Sequence, residues 1–128
     1  MRRLFVFDWD GTLMDSVARI VSCLRHAAAE QGLDDLGDAR FGDVIGLGLP
    51  QAIAQLYPQL DQRGIEQFRD TYAARFVAAD AAPSQLFPGA LELLDALRER
   101  GHWVAVATGK SRRGLDRVLG ELGLADRF

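Results

Sequence analysis

A chain of 128 residues, 48% hydrophobic and 26% charged, has material for one ordinary domain or for one domain with a small insertion. A net charge of −3 gives no reason to expect nucleic acid or an anionic membrane as a partner, and no stretch approaches the length of a membrane span. A single cysteine, Cys23, rules out an internal disulfide and suits a reducing cytoplasm, and the first apolar run, broken by Asp8 and Asp10, does not read as a signal peptide.

Residues 3–7 (Arg-Leu-Phe-Val-Phe) read as a buried strand, ended by the polar turn Asp8-Trp9-Asp10-Gly11-Thr12-Leu13. Such a strand delivers two carboxylates to the carboxyl edge of a sheet, where open α/β sheets bind ligands. On an extended chain, residues two apart point to opposite sides, so Asp8 and Asp10 are not equivalent. Gly11 allows the sharp departure that follows, and the Thr12 hydroxyl is suited to capping the turn.

Asp15 or Ser16 is placed to cap a helix running to about Gln31, with Val17, Ile20, Val21, Leu24 and Ala28 on one apolar face and Gly32 at its end. Cys23 falls on that apolar side. A short helix is expected over residues 38–45, a loop at Gly46-Leu47-Gly48-Leu49, and a helix from Pro50 to about Tyr57. Asp61 then caps a longer helix in which Ile65, Phe68, Tyr72, Phe76 and Ala79 recur at helical spacing, a stripe best read as core packing. Residues 15–79 thus read as a four-helix unit without a strand, and residues 81–88, with Pro83 and Pro88, as a linker. Arg19, Arg25 and Arg40 are the residues of this unit in which ligand selectivity would lie, though each reads first as a solvated helix charge.

From Gly89 a helix runs to Arg100 with Leu91, Leu94, Ala96 and Leu97 inward. Gly101 ends it, and residues 102–107 form a second buried strand. Helix and strands make a βαβ arrangement with the helical unit spliced into its crossover. Thr108-Gly109-Lys110-Ser111 follows the strand, and Ser111 caps a last helix with Leu115, Val118, Leu119 and Leu122 inward and Gly123 closing it. Lys110 is the only lysine among fifteen basic residues. His26 and His102 read as structural or solvated.

By chance, Asp-x-Asp-Gly-Thr occurs in roughly one chain in a thousand of this length, and here it ends an apolar strand. On that string the chain resembles the haloacid dehalogenase superfamily, and Phe7-Asp8-Trp9-Asp10-Gly11-Thr12-Leu13-Met14-Asp15-Ser16 resembles its phosphoglycolate phosphatase-like branch. The resemblance implies an α/β fold: a Rossmannoid parallel-sheet core, residues 1–15 and 81–128, with an inserted helical cap, residues 16–80. It implies phosphoryl transfer through an aspartyl-phosphate on Asp8, with Asp10 protonating the leaving oxygen and then activating water. Asp8 and the Asp10 carbonyl would ligate Mg²⁺. Thr108, Gly109 and Lys110 would correspond to the second motif and hold phosphate oxygens. Leu86-Phe87-Pro88-Gly89-Ala90-Leu91 is similar to the family's re-entry into the core, and Gly46, Leu47 and Gly48 are the expected substrate-facing cap loop.

The family's remaining lysine and acidic pair lie further along than Phe128, and the only acids after Lys110 are Asp116, Glu121 and Asp126, none of which follows a strand. The resemblance therefore implies the amino-terminal three-fifths, roughly, of a longer hydrolase. In the family, the strand carrying the acidic pair lies beside the first strand. Without it, residues 4–7 would be an exposed apolar edge that a second copy of the chain could cover. The expected substrate is a small phosphorylated metabolite, phosphoglycolate first. Two alternatives stay open: a sugar phosphomutase of the β-phosphoglucomutase type, and a catalytically incomplete chain.

Overall fold

The computed structural model describes residues 1–78 and 84–128; the expected core position of Ala79 and the first part of the 81–88 linker lie outside the described residues. Strand β1 (Leu4–Phe7) runs into the aspartate loop and a two-residue strand β2 (Met14–Asp15). Helices α1 (Val17–Glu30), α2 (Asp38–Asp43), α3 (Leu49–Leu56) and α4 (Gln62–Ala78) follow. The chain returns through β3 (Gln85–Leu86), α5 (Ala90–Glu99), β4 (Trp103–Val106) and α6 (Arg112–Leu122).

Two apolar clusters hold these elements. In the helical unit, Ile20, Val21, Leu24, Ala27 and Ala28 of α1 meet Phe41, Ala52, Ile53, Leu56, Tyr57 and Phe68. The spacing of the α1 residues makes one face that packs within the unit from Ile20 onward; Val17, expected on it, is 38% exposed in the first turn. The Tyr57 hydroxyl donates to the Asp34 carbonyl at 2.6 Å, so this buried phenol is satisfied. Asp61 accepts the Gly64 amide at 2.8 Å and so caps α4 as expected.

In the α/β unit, β1 and β4 pair in parallel, Leu4 opposite Trp103 and Phe7 opposite Val106. Phe5, Phe7, Val104 and Val106 pack on one face against Leu94, Leu97, Leu115 and Leu119. The other face is bare: Leu4, Val6 and Trp103 are 59%, 56% and 57% exposed. Both strands are therefore half-buried rather than buried, because α5 and α6 cover the same side of a sheet whose side chains alternate. Leu122, expected inward, lies at the exposed margin of α6. Ser111 caps α6 by accepting the Gly114 amide at 3.1 Å, and Gly123 closes it with φ +68°.

The helical unit is not free of strand. Asp15 pairs with Gln85 and Met14 with Leu86, antiparallel, and the Phe87 amide donates to the Leu13 carbonyl at 2.9 Å. The chain leaving the α/β unit is thus zipped to the chain returning to it, and residues 85–86, expected in a linker, belong to this ladder. A period-2 signal two residues long is too short to read from a sequence.

Candidate active site

Trp9 anchors the aspartate loop. Its indole is buried in the α/β cluster, and its carbonyl accepts the amides of Thr12, Leu13 and Met14 at 3.2, 3.0 and 3.0 Å. Gly11, at φ +78°, turns its amide to the Met14 carbonyl at 2.9 Å. Backbone groups close this turn, where the sequence suggested the Thr12 hydroxyl. With Trp9 pinned inward, its neighbours are held in fixed places. Asp8 is exposed, and its Oδ1 accepts the Trp9 amide at 2.7 Å. Asp10 is half-buried, and its Oδ1 accepts the Ser16 hydroxyl at 2.7 Å.

Ser16 stands at the N-cap of α1, yet its hydroxyl caps nothing. It is 2% exposed and donates to Asp10 instead, also lying 3.4 Å from the Met14 carbonyl. A charge-assisted bond of this kind is stronger than a neutral one, which accounts for the diverted hydroxyl.

The parallel register continues past the strands: the Ala107 amide donates to the Phe7 carbonyl at 2.8 Å, so the 108–110 loop leaves the sheet beside Asp8. The Lys110 amide donates to Thr108 Oγ1 at 3.1 Å and tightens that loop. Gly109 faces the helical unit. A Cβ there would stand 2.5 Å from the Leu47 carbonyl carbon and 2.6 Å from the Gly46 and Leu47 oxygens. Only glycine lets the 46–48 backbone rest on this loop.

A cleft of about 690 Å³ lies between the units, lined by Asp10 and residues 108–110 on one side and by residues 46–48, Tyr72 and Phe76 on the other. A second, of about 430 Å³, is lined by Trp9, Asp10, Ser16, Arg19, Phe76, Lys110 and Arg117 among others. Asp8 lines neither; it stays on the exposed side of its loop. The structure thus gathers Asp10, Thr108, Gly109, Lys110, Gly46, Leu47 and Gly48 around one space, and Asp8 is not among the residues that line it.

Two residues depart from their sequence reading. The Phe76 ring receives Lys110 Nζ at 4.7 Å and the Arg19 guanidinium at 4.2 Å from its centroid, and stacks with Tyr72 at 5.8 Å. It is a cation platform as well as a packing residue. Arg19, read as a solvated charge, lines the cleft and donates to the Phe76 carbonyl. A helical aromatic stripe looks the same whether its last member meets apolar neighbours or cations. Arg25, by contrast, pairs at the surface with Asp35 and Asp38.

Burial pushes the Lys110 ammonium below its usual range; Asp10 opposes that shift, and Arg117 and Arg19 add to it. Desolvation likewise drives the Tyr72 phenol far up. Among the described residues no group of three or more His, Cys, Asp or Glu is arranged to hold a metal ion. Asp116 and Glu121 pair with Arg112 and Arg117 of their own helix at 3.2 and 3.6 Å. His102 Nδ1 accepts the Arg3 amide at 3.1 Å, a structural role. No helix among the described residues is long and apolar enough to cross a membrane.

Residues 5–128 match the family model described as haloacid dehalogenase-like hydrolase. The chain is 32% identical, over 98% of its length, to a phosphoglycolate phosphatase of Agrobacterium fabrum, and 31% identical, also over 98%, to an N-acetylmuramic acid 6-phosphate phosphatase of Pseudomonas putida. It covers 55% and 56% of those proteins, so it spans little more than half the length of the curated relatives it matches. Among solved structures, a predicted phosphatase from Clostridium acetobutylicum superposes with a TM-score of 0.86 at 23% identity, over all of this chain and 59% of that one, a likeness of fold alone.

Proposed function

Because this chain belongs to the haloacid dehalogenase-like hydrolases, we propose that it carries the nucleophile and proton-transfer half of a Mg²⁺-dependent phosphomonoesterase. Its substrate is a small phosphorylated metabolite, phosphoglycolate first, met in a reducing cytoplasm. The observation that supports this reading best is the parallel register, which brings the aspartate loop and the 108–110 loop to one sheet edge. In this reading the Asp8 carboxylate attacks phosphorus, the phosphorus–oxygen bond to the alcohol breaks, and Asp10 gives the leaving oxygen its proton. Asp10 then takes a proton from the water that attacks the aspartyl-phosphate, releasing phosphate and restoring Asp8. The Thr108 hydroxyl and Gly109 amide hold the phosphoryl oxygens, with Lys110 the cation of the same loop.

The donor chemistry fits Mg²⁺, which takes one or two carboxylates and completes its shell with water and substrate oxygens. The Asp8 carboxylate and the Asp10 carbonyl are hard oxygen donors on one short loop, and Asp8 is open to solvent. Bound there, Mg²⁺ would neutralise charge on the transferring group. The test is Mg²⁺-dependent release of phosphate from phosphoglycolate by the 128-residue chain. Release is expected to fall by roughly three orders of magnitude or more in Asp8→Asn. Release indifferent to Asp8→Asn would sink the proposal; none from the folded chain would make it a catalytically incomplete chain, and isomerised sugar phosphate without net release would point to a mutase.

A further inference from the structure

The cleft of about 690 Å³ has two unlike walls. The α/β unit lines it with Asp10, Thr108, Gly109, Lys110 and Ser111. The helical unit lines it with Leu24, Val44, Leu47, Leu49, Tyr72 and Val77 among others. Among the described residues, the only charged side chains on that second wall are Arg69 and Asp70, which pair with each other at 3.3 Å. The space is therefore polar beside the aspartate loop and apolar along the helices.

The exposed apolar side chains fall in the same place. Scattered singly on a surface they are ordinary, but grouped beside a cavity they mark a binding surface. Of the large ones exposed among the described residues of the helical unit, Val17, Leu47 and Val77, two line this cleft. Leu47 precedes α3 and Val77 ends α4, so no single amphipathic helix accounts for both. Desolvation points the same way. It drives the Tyr72 phenol far above its usual range and the Lys110 ammonium below its own, each towards the neutral form. A charge on the alcohol portion of a ligand would meet the same penalty at this wall. The size of the space also matters: a two-carbon ester such as phosphoglycolate leaves most of a volume suited to drug-sized ligands unfilled.

We propose that the helical wall of the cleft, Leu47, Tyr72 and Val77 foremost, binds an uncharged, apolar alcohol portion, so that the preferred substrates are phosphomonoesters of alkyl or aryl alcohols. This rests on the phosphomonoesterase reading and adds to it the residues that select the leaving group. Phosphoglycolate still enters, but without the contacts that favour a longer apolar ester.

The experiment is calorimetric binding of n-alkylphosphonates to the 128-residue chain with Mg²⁺. Their carbon–phosphorus bond has no ester oxygen to leave, so binding is read without turnover. Ethyl-, butyl- and hexylphosphonate lengthen the apolar part, and 3-phosphonopropionate ends in a carboxylate. Affinity is expected to rise about 2- to 4-fold per methylene along the series, with 3-phosphonopropionate no tighter than ethylphosphonate. Leu47→Ser removes apolar surface and Ala73→Phe fills the space, both at exposed positions that line the cleft. The first should shrink the gain per methylene, and the second should end it at a shorter chain. Circular dichroism confirms that each variant is folded.

A flat series in the unaltered chain would overturn the subsite. So would tightest binding of 3-phosphonopropionate, or no binding by any of the four ligands. Weakening of every ligand by one common factor in both variants would also overturn it, since the wall would then serve the phosphorus group or the fold. Phosphate release is measured separately, from hexyl phosphate and from phosphoglycolate. A rising series without release from either ester would leave the subsite standing and make the chain catalytically incomplete. Release that depends on Asp8, with a flat series, would uphold the phosphatase reading and defeat the subsite.

Discussion

The helical unit and the α/β unit solve the same burial problem differently. In the first, α1 lies against α4, and Phe41, Ile53 and Phe68 are each fully enclosed, so the unit has a core of its own, with Val17 and Val77 left exposed at its margins. In the second, α5 and α6 both cover one face of a two-stranded parallel sheet and leave Leu4, Val6 and Trp103 bare. Parallel strands are normally covered on both faces, and an open apolar edge invites pairing. Amphipathic helices can close on one another locally, whereas a sheet has two faces and needs two covering layers. The Arg2 guanidinium 4.8 Å above the Trp103 ring is a slight cover for the bare side. The candidate site lies where the self-contained unit rests on the half-covered one.

The difference can be broken at the cores first. Phe68→Ala should cost about 3–5 kcal/mol and Leu94→Ala about 2–5 kcal/mol, read by urea denaturation with one probe in each unit. Equal loss seen by both probes would make the two clusters one cooperative structure; separate transitions would make them two. Gly109→Ala tests the contact between units. A Cβ 2.5 Å from the Leu47 backbone must displace the 46–48 loop, at a cost of roughly 1–3 kcal/mol. A neutral Gly109→Ala would mean that the loop is not seated there in solution.

Trp103→Lys probes the bare face. On an exposed position it should change stability by no more than about 0.5 kcal/mol. Sedimentation should show self-association of the unaltered chain through this face and its weakening in the variant. The smallest effect belongs to Asp35 at the surface of the helical unit. The Gly37 amide at 2.9 Å holds its carboxyl below the ordinary range against some desolvation, with Arg25 adding to the lowering. A depressed carboxylate contributes stability that is present above the unfolded value, about 3.9, and is lost as pH falls through the lower folded value. Asp35→Asn should therefore lower the neutral plateau of the stability curve slightly and flatten its acid limb, the two curves converging at low pH.

Sequence alone determined the elements whose cause is local. Ser111 and Gly123 bound α6, Asp61 starts α4, and the apolar runs around residues 4–7 and 103–106 are strands, because capping chemistry and periodicity act within a few residues. The aspartate string was legible as a candidate site from its own spacing, whereas Thr108-Gly109-Lys110, an ordinary turn when taken alone, became a candidate only through the resemblance that the aspartates carry. Tertiary structure decided what depends on a partner distant in sequence. It turned the Ser16 hydroxyl from capping α1 to Asp10, zipped residues 14–15 to 85–86, seated Gly109 on the Leu47 backbone, and set Lys110 and Arg19 on Phe76. A hydroxyl, a two-residue strand and a helical aromatic each have several local uses, and the choice among them rests on what the fold brings within a few ångströms.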